Sequence, residues 1–333
     1  MTKVLLVGEP LIRISPSHFQ TLGHACQAQL YYGGSEVNIA RTLSGFGAES
    51  SLLTALPDNQ VGRSVEAFLK QSGVATEHVQ WCGDRVGIYY LENGFGCRPS
   101  QVAYDRSASS FSLLGPKDLD YGKLFEEVTH FHFSGITLAL GKVSQDLVEQ
   151  LAIEAMKRQV CVSFDLNFRS SMISVREAKT LFSHFAQYAD LIFGMEPLMC
   201  NQADHAMFDR AKAGQGAVKE RLAALYEAYH LKAIFHTERH IDDQGVNHYL
   251  AYAYDGQLHR SIELSTPVLQ RVGSGDAFVA GCLYQLMKGQ AIAAALDFAA
   301  ATASLKCTVA DDQLFVSANQ VDRVMRGNRE VRR

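Results

Sequence analysis

The amino-acid sequence predicts an α/β fold in which a mostly parallel central sheet is flanked by helices and accompanied by a small second β-sheet. From about residue 125 onwards, short apolar runs of strand length alternate with helical stretches, as in parallel sheets whose strands are joined by helices. These runs are continuously apolar, which is typical of strands buried on both faces. Residues 9–32 and 83–110 instead mix polar and apolar positions around aromatic residues and a glycine-containing turn, which favours exposed strands.

The composition is that of a folded globular protein. The chain has 333 residues, of which 47% are hydrophobic and 20% charged, and its formal net charge is −4, which argues against a general nucleic-acid-binding protein. No apolar run reaches the roughly 18–20 residues that span a bilayer, and the first residues resemble a strand more than a signal peptide. Seven scattered cysteines form no CxxC pair, which indicates a reducing compartment. We therefore expect a cytoplasmic protein that contacts neither nucleic acid nor membrane.

Glycines mark the ends of the predicted elements in the first third of the chain. The apolar run at residues 3–8 predicts a buried strand, and Gly33-Gly34 begins a helix that runs to about Gly47, with Ser35 as its cap. Residues 52–56 predict the next buried strand and residues 61–71 the next helix. The small sheet is expected to contain strands at residues 13–16, 28–32, 86–92 and 101–106, the last two as a hairpin.

The remainder of the chain is more regular. Buried strands are expected at residues 130–134, 160–165, 191–194 and 233–237, and helices at about 144–158, 174–188, 217–229, 276–288, 291–305 and 319–325. A hairpin of residues 246–254 and 257–264 is expected at one edge of the main sheet. We therefore predict that residues 1–8, 33–82 and 111–333 form the α/β core, and that residues 9–32 and 83–110 form the small sheet.

The stretch from Arg271 to Gly281 carries the clearest chemical signature. Gly273 and Gly275 permit positive φ angles and close approach of the backbone to a ligand. The free N–H groups of the helix that follows are suited to binding a phosphate. A carboxylate at Asp276 would repel that phosphate, but it would suit a base that deprotonates an attacking hydroxyl. The alternative is an ordinary helix start in which Ser274 or Asp276 is the cap.

Polar residues at other predicted strand ends form a second set. There is no Walker A loop, and no Gly-x-Gly-x-x-Gly sequence follows the first strand. Instead, Gly33, Gly34 and Asn38 lie at a helix start, and Arg169 follows a strand that ends at about Asp165. Two arginines, Arg106 and Arg169, suit a carboxylate ligand, and Tyr89 and Tyr104 suit sugar hydroxyls. Taken singly, the arginines are also compatible with surface ion pairs and Tyr89 with packing in the hairpin.

Together these strings resemble a known family. Gly33-Gly34-x-x-x-Asn38, combined with Arg271-Val272-Gly273-Ser274-Gly275-Asp276, is similar to the two signatures of the PfkB, or ribokinase-like, carbohydrate kinases. Within that family the chain most resembles the 2-keto-3-deoxygluconate kinases. Further similar strings are Gly8-Glu9-Pro10, Gly87-Ile88-Tyr89, Tyr104-Asp105-Arg106 and Asp165-Leu166-Asn167-Phe168-Arg169. The resemblance extends from about residue 3 to residue 318.

The resemblance implies a ribokinase-like α/β fold with a small β-sheet lid that often mediates dimers, and ATP- and Mg²⁺-dependent phosphorylation of a sugar hydroxyl. It implies that Asp276 is the general base and that Gly273, Ser274 and Gly275 form an anion hole. It assigns substrate binding to Gly33, Gly34, Asn38, Tyr89, Tyr104, Arg106, Arg169 and Asp312. We further expect Thr237, Gly273 and Gly275 to bind the nucleotide. The expected reaction is phosphorylation of 2-keto-3-deoxygluconate to its 6-phosphate, in a homo-oligomer assembled through the lid.

Three positions depart from the family pattern. Met195 stands in place of the asparagine of an Asn-x-x-Glu element for hydrated Mg²⁺, which leaves Glu196 as a candidate metal residue. Gln270 replaces an aspartate before the glycine loop, and Asp311 replaces a glycine before Asp312. Two alternatives therefore stay open: a kinase for a neutral sugar of the fructose or ribose type, or a catalytically weak sugar-acid sensor with the same fold.

Overall fold

A 10-stranded sheet forms the centre of the protein and a separate 4-stranded sheet lies beside it. The computed structural model describes residues 2–23, 27–117, 119–210 and 212–327. Three parts of the predictions lie outside the described residues. These are Cys26 in the predicted small-sheet segment, and residue 1 and residues 328–333 at the ends of the predicted core. The six cysteines among the described residues are free thiols.

The described residues form 14 strands and 10 α-helices. The strands are β1 Lys3–Val7, β2 Leu11–Pro16, β3 Ala28–Gly33, β4 Glu49–Leu56, β5 Val79–Trp81, β6 Gly87–Glu92, β7 Gln101–Asp105, β8 Val128–Ser134, β9 Cys161–Asp165, β10 Leu191–Phe193, β11 Ala233–Ile241, β12 Val246–Tyr254, β13 Leu258–Arg260 and β14 Leu264–Pro267. The helices are α1 Ser35–Gly45, α2 Gln60–Gln71, α3 Tyr121–Leu124, α4 Gly135–Leu138, α5 Lys142–Lys157, α6 Val175–Ala186, α7 Gln215–Tyr229, α8 Ser274–Met287, α9 Ile292–Lys306 and α10 Ala318–Met325.

The central sheet is mixed, with a parallel majority. Its order is β13-β12-β11-β10-β9-β8-β1-β4-β5, and β14 also pairs with β12. Every neighbouring pair from β11 to β5 is parallel. Strands β12, β13 and β14 add antiparallel pairs at one edge. The predicted strand at residues 257–264 is wrong in one respect, because this stretch forms two short strands that each pair with β12.

Alternate residues of β1 show why its sequence is continuously apolar. Val4 and Leu6 pack into the core on one face of the sheet with α1, α2, α8 and α9. Leu5 and Val7 pack into the core on the other face with α5, α6 and α7. A strand covered by helices on both sides has no solvent-facing positions, so no polar alternation remains.

The small sheet has the order β3-β2-β6-β7. Its strands come from residues 11–33 and 87–105, within or at the edge of the two segments predicted to form it. One face carries Arg13, Tyr89 and Tyr104 in register, and this face is turned towards the core. The sheet therefore brings residues from distant parts of the chain to one side of the central fold.

The helices begin for different reasons. Ser174 and Glu177 form a capping box at the start of α6, and the Asn59 side chain accepts two backbone N–H bonds at the start of α2. The predicted cap of α1 is wrong: Ser35 is the first residue of that helix, Gly34 is the cap, and no side chain caps it. The Ser35 hydroxyl is instead used in the cavity described below.

Close packing of α8 on α9 predicts a large effect of a small substitution. A Cβ on Gly281 would lie 2.8 Å from Ala299 Cα on α9. We expect Gly281→Ala to lower the free energy of unfolding by about 1–3 kcal/mol, because overpacking outweighs the roughly 1 kcal/mol gain in helix propensity. Urea denaturation measures this.

The matched control is Gly216→Ala in α7, where an added Cβ meets nothing within 4 Å. This variant should be as stable as the wild type or more stable. Equal effects of the two substitutions would contradict the packing argument.

Candidate active site

A cavity of about 260 Å³ lies between the small sheet, the start of α8 and the residues that follow β1, β8 and β9. Ligands of open α/β sheets bind at such strand ends. The cavity is lined by all the residues predicted to bind substrate except Gly33, namely Gly34, Asn38, Tyr89, Tyr104, Arg106, Arg169 and Asp312. Gly33 lies behind this lining, where a Cβ would come within 2.4 Å of the Asp312 carboxylate.

Asp276 lies in the first turn of α8 and lines this cavity. Its Oδ1 accepts a hydrogen bond from the Ser35 hydroxyl at 2.9 Å, and its Oδ2 accepts one from the Asn38 amide at 2.6 Å. Both donors are on the first turn and a half of α1. Burial raises the pKa of Asp276, while the bonds from Asn38 and Ser35 lower it. The result is an oriented carboxylate whose affinity for a proton exceeds that of an exposed aspartate.

The start of α8 leaves its backbone N–H groups without a side-chain cap. Gly273 is the cap residue, with φ of 82°, and no side-chain hydrogen bond caps the helix. The alternative in which Ser274 or Asp276 caps the helix is therefore wrong. Gly273 needs its φ and its lack of a side chain, since a Cβ would lie 1.7 Å from the Asp312 carbonyl oxygen. Gly275 was also expected to permit a positive φ, but it lies inside the helix and does not have one.

Asp312 joins the small sheet to the core. Its carboxylate accepts hydrogen bonds from the Arg13 guanidinium and from the Tyr89 hydroxyl. Arg13 also donates to the Ala310 carbonyl at 3.0 Å and lies over the Tyr31 ring at 3.7 Å. Burial raises the pKa of Asp312, and Arg13 opposes that rise. All of these groups except Tyr31 are deeply buried or belong to the backbone.

The two arginines predicted to bind a carboxylate differ in their surroundings. Arg106 donates from Nε at 2.8 Å, and also from Nη2, to the Glu9 carboxylate, which is itself buried. The guanidinium of Arg169 makes no hydrogen bond or ion pair to any other described residue and is exposed to the cavity. Arg169 is therefore the one of the pair whose charge is available to an incoming anion.

Two further buried acids surround Asp276. Glu36 accepts hydrogen bonds from Ser134 at 2.5 Å and Thr137 at 3.2 Å, and burial raises its pKa to about 7. Burial also raises the pKa of Asp165 to about 8, with a smaller contribution from the nearby Asp276 charge. Like charges close together disfavour joint ionisation, so part of this cluster holds protons at neutral pH.

A second cavity adjoins the first. It has a volume of about 700 Å³ and contains Thr237 and Gly275, two of the residues predicted to bind a nucleotide. Asn167, Arg169 and Arg239 line both cavities. A Cβ on Gly275 would meet nothing within 4 Å, so a ligand in this cavity can approach the helix backbone. Ser274 lines neither cavity.

The arrangement has counterparts among known proteins. A 2-dehydro-3-deoxygalactonokinase of Haloferax volcanii is 30% identical over 326 residues, which cover 98% of this chain and 97% of that protein. The crystal structure of the 2-dehydro-3-deoxygluconokinase of Thermotoga maritima superposes with a TM-score of 0.90 at 30% identity, covering 98% of each chain. A PfkB family carbohydrate kinase of Listeria grayi superposes with a TM-score of 0.88 at 26% identity, covering 98% of this chain and 100% of that one.

The sequence model of the pfkB family carbohydrate kinases matches residues 1–319. The chain belongs to this family. The predicted family and the ribokinase-like α/β fold with its small separate sheet are thereby confirmed. The protein is accordingly a phosphotransferase that acts on an alcohol group.

The structure also shows where the kinase departs from its family pattern. Met195 is a buried core residue. Gln270 donates to the Asn93 side chain at 2.8 Å and accepts from the Val272 N–H at 3.1 Å, so it ties the glycine loop to the hairpin of the small sheet. Asp311 is exposed.

Glu196 is surrounded by cations. Its Oε2 lies 3.3 Å from Lys179 Nζ and its Oε1 lies 2.6 Å from Arg221 Nη2. Across the residues that the structure describes, no group of three or more His, Cys, Asp or Glu side chains is arranged to hold a metal ion. The Glu196 carboxylate therefore has its charge balanced within the protein.

Several residues of the site were missed by sequence reasoning. Glu9, Ser35, Glu36 and Asn167 reach the first cavity, and Arg13 supports it from behind. Arg13 was assigned only to an exposed strand, yet its relative exposure is 1%. A charged residue between Ile12 and Ile14 in a strand was the available signal, because such a charge must find a partner.

The raised pKa values of Glu36 and Asp165 predict a pH dependence of stability. The pKa values of both acids are higher in the folded chain than their ordinary values, which are 4.5 for Glu36 and 3.8 for Asp165. The free energy of unfolding should therefore fall as the pH rises from those values towards about 7 for Glu36 and about 8 for Asp165. Glu36→Gln cannot ionise, so its stability should fall less steeply over that window in urea-unfolding series.

The control is Glu220→Gln, on an exposed position of α7, which should keep the wild-type slope. If Glu36→Gln and the wild type lose stability equally with rising pH, Glu36 does not hold a proton in the folded state.

Proposed function

We propose that this kinase transfers the γ-phosphoryl group of ATP to the C6 hydroxyl of a 2-keto-3-deoxy sugar acid, with 2-keto-3-deoxygluconate as the principal substrate and its galacto epimer as the close alternative. The observation that carries this proposal is the placement of Asp276 at an uncapped helix start, in the same cavity as the Arg169 guanidinium, which makes no hydrogen bond or ion pair to another described residue. One group suits the hydroxyl, the other the carboxylate.

Asp276 accepts the proton of the attacking hydroxyl in the proposed reaction. Ser35 and Asn38 hold its two oxygens, so the carboxylate does not need to reorient. The backbone N–H groups at Gly273–Gly275 and the positive end of α8 stabilise negative charge on the transferred group. We assign the nucleotide to the second cavity, which Thr237 and Gly275 line; its phosphates would then lie towards the first cavity, since Arg169 lines both.

Mg²⁺ enters this scheme with the nucleotide. The ion pairs of Glu196 with Lys179 and Arg221 disfavour a metal ion held by that carboxylate, so we no longer assign it to metal binding. Bound together with ATP, Mg²⁺ would neutralise negative charge on the phosphate groups. We assign no side chain of this protein to it.

Two alternatives are less favoured. A neutral sugar would offer no carboxylate to the Arg169 guanidinium, which makes no hydrogen bond or ion pair to another described residue. A non-catalytic sensor would have no use for the oriented Asp276 carboxylate. A screen for ADP release over keto-deoxy acids and neutral hexoses, with and without Mg²⁺, decides among the three.

The Asp276 carboxylate is expected to be essential. Asp276→Asn should lower kcat by roughly 10²–10⁴-fold, the contribution typical of a general base. Sugar binding, measured by calorimetry, should be retained, since the substitution preserves side-chain size. Ser35→Ala serves as the comparison, because it removes one supporting hydrogen bond and keeps the base; its loss should be smaller. A near-normal rate for Asp276→Asn would refute the mechanism.

Arg169 is expected to select for the acidic substrate. Arg169→Ala should raise KM for the sugar acid by roughly 10- to 100-fold, which corresponds to the loss of about 1.5–3 kcal/mol for hydrogen bonds to a charged group. KM for any neutral sugar should change little.

Arg106→Ala provides the contrast, since it leaves the buried Glu9 without its cation. It should lower the free energy of unfolding by about 3–5 kcal/mol, whereas Arg169→Ala should not. If Arg169→Ala affects acidic and neutral sugars alike, Arg169 does not bind the carboxylate.

We further propose that two copies associate through the outer face of the small sheet, in the cytoplasm. The cross-strand row of Leu30, Ile14, Tyr90 and Ala103 lies on the face opposite Tyr89. Leu30 is 56% exposed and Ala103 is also exposed, whereas Ile14 packs partly against the main core; the exposed part of this apolar row suits a self-complementary contact. No helix among the described residues is long and apolar enough to cross a membrane. Light scattering of the wild type and of Leu30→Glu tests the association.

A further inference from the structure

Lys306 is a buried lysine directly behind the start of α8. It is the last residue of α9, and its relative exposure is 0%. Lysine is almost never fully buried without a partner. In the described part of the chain, no carboxylate forms a salt bridge with it; its ammonium donates instead to the carbonyl oxygens of Gln270 at 3.3 Å and Val309 at 3.4 Å.

These two carbonyls belong to segments that meet at this point. The N–H groups of Leu269 and Gln270 donate to the Cys307 carbonyl at 2.8 and 3.2 Å. The ammonium of Lys306 links the same two segments, because it donates hydrogen bonds to Gln270 in one and to Val309 in the other. The lysine therefore fastens residues 269–270 to the end of α9.

The fastened segment leads directly into the phosphate-binding turn proposed above. Gly273 follows Gln270 by three positions and is the cap residue of α8. A Cβ on Gly273 would lie 3.4 Å from Lys306 Cε and 1.7 Å from the Asp312 carbonyl oxygen. The lysine stem and the Asp312 backbone thus form the floor beneath this turn.

The charge of Lys306 is held at a cost. Burial lowers its pKa to about 8, while the carboxylates of Asp312 and Asp276 and the Cys307 thiol oppose this and Arg13 adds to it. Replacing a buried charge by an apolar side chain of similar volume is often neutral or stabilising. Stability alone therefore gives little reason for a lysine here, and a role in the site gives one.

We propose that Lys306 is a positioning residue for phosphoryl transfer: its ammonium fixes the 269–273 segment, and thereby the backbone N–H groups at the start of α8, and places a positive charge behind them. This inference rests on the proposed role of that helix start in binding the transferred phosphate. Lys306 acts through the loop and does not touch the substrate.

Lys306→Met tests the proposal, since methionine removes the charge and keeps an unbranched stem. We expect kcat to fall by about 10- to 100-fold, the usual effect of removing a group that orients a functional one, with KM for the sugar acid nearly unchanged. The free energy of unfolding at pH 7 should be equal to that of the wild type or higher. Lys288→Met, at an exposed lysine just past the end of α8, is the control and should match the wild type in all three values.

The wild type provides an independent readout. In ¹³C-lysine NMR without substrate, one Cε resonance should titrate near pH 8, and it should be absent from Lys306→Met. Because Lys306 loses its positive charge above that pH, kcat of the wild type should fall over the same pH range. Asp165 has a pKa of about 8 as well, so Asp165→Asn is included; the alkaline loss should persist in it and disappear in Lys306→Met.

Failure of this inference is distinguishable from failure of the proposed function. If the wild type phosphorylates no sugar acid, the proposed function is wrong, and the affinity for a non-hydrolysable ATP analogue still tests Lys306, with a roughly tenfold weakening expected in Lys306→Met. If Lys306→Met folds and has the same kcat and the same affinity for the ATP analogue as the wild type, the inference is wrong. If that variant does not fold, a Lys306 resonance that titrates at an ordinary lysine pKa, with no matching loss of kcat, would overturn it.

Discussion

A buried ion pair between Arg13 and Asp312 connects the small sheet of this kinase to its α/β core, and the geometry of the site depends on it. Arg13 belongs to the small sheet, whereas Asp312 lies beyond α9, 299 positions away in the chain. The side chain of Asp312 also accepts a hydrogen bond from the Tyr89 hydroxyl, and its backbone carbonyl lies close to Gly273. One residue therefore sets both the position of the small sheet over the cavity and the conformation at the start of α8. Removing either charge would leave the other buried and uncompensated.

The surroundings of the cavity hold more buried charge than stability alone would favour. Glu36, Asp165, Asp276 and Asp312 all have pKa values raised by burial, and Lys306 has one lowered by burial. Groups perturbed in this way cluster at functional sites, because a proton acceptor has to be matched to its task. The hydrophobic layers on both faces of the sheet provide the stability that offsets these costs. Stability of the fold thus favours an apolar interior, whereas the site requires buried charged groups in it.

Much of the fold could be predicted because its signals are local. Continuous apolar strands, helix lengths and the Gly273–Asp276 turn are each encoded within about ten neighbouring residues, which is the range over which strand and helix patterns act. Two of the errors occurred where a side chain had a distant partner. Ser35 looks like a helix cap by position, yet its hydroxyl bonds to Asp276, 241 positions away. Arg13 looks like part of an exposed strand, because nothing adjacent in the chain indicates Asp312.

The sequence by itself determined the family, the order of the longer strands and helices, and most of the residues predicted to face the cavity, since these follow from periodic patterns and contiguous motifs. Only the tertiary structure decided which charges are already neutralised. Arg106 and Arg169 are equivalent as residues in a sequence, but Arg106 is hydrogen-bonded to Glu9, whereas Arg169 faces the cavity and makes no hydrogen bond or ion pair to another described residue. In the sequence, Lys306 is likewise an ordinary last residue of a helix. Only the folded structure shows that it contacts the segment leading into the glycine loop. Electrostatic interaction falls with distance and is screened by water, so pairing and burial, which are properties of the folded chain, decide what each charge can do.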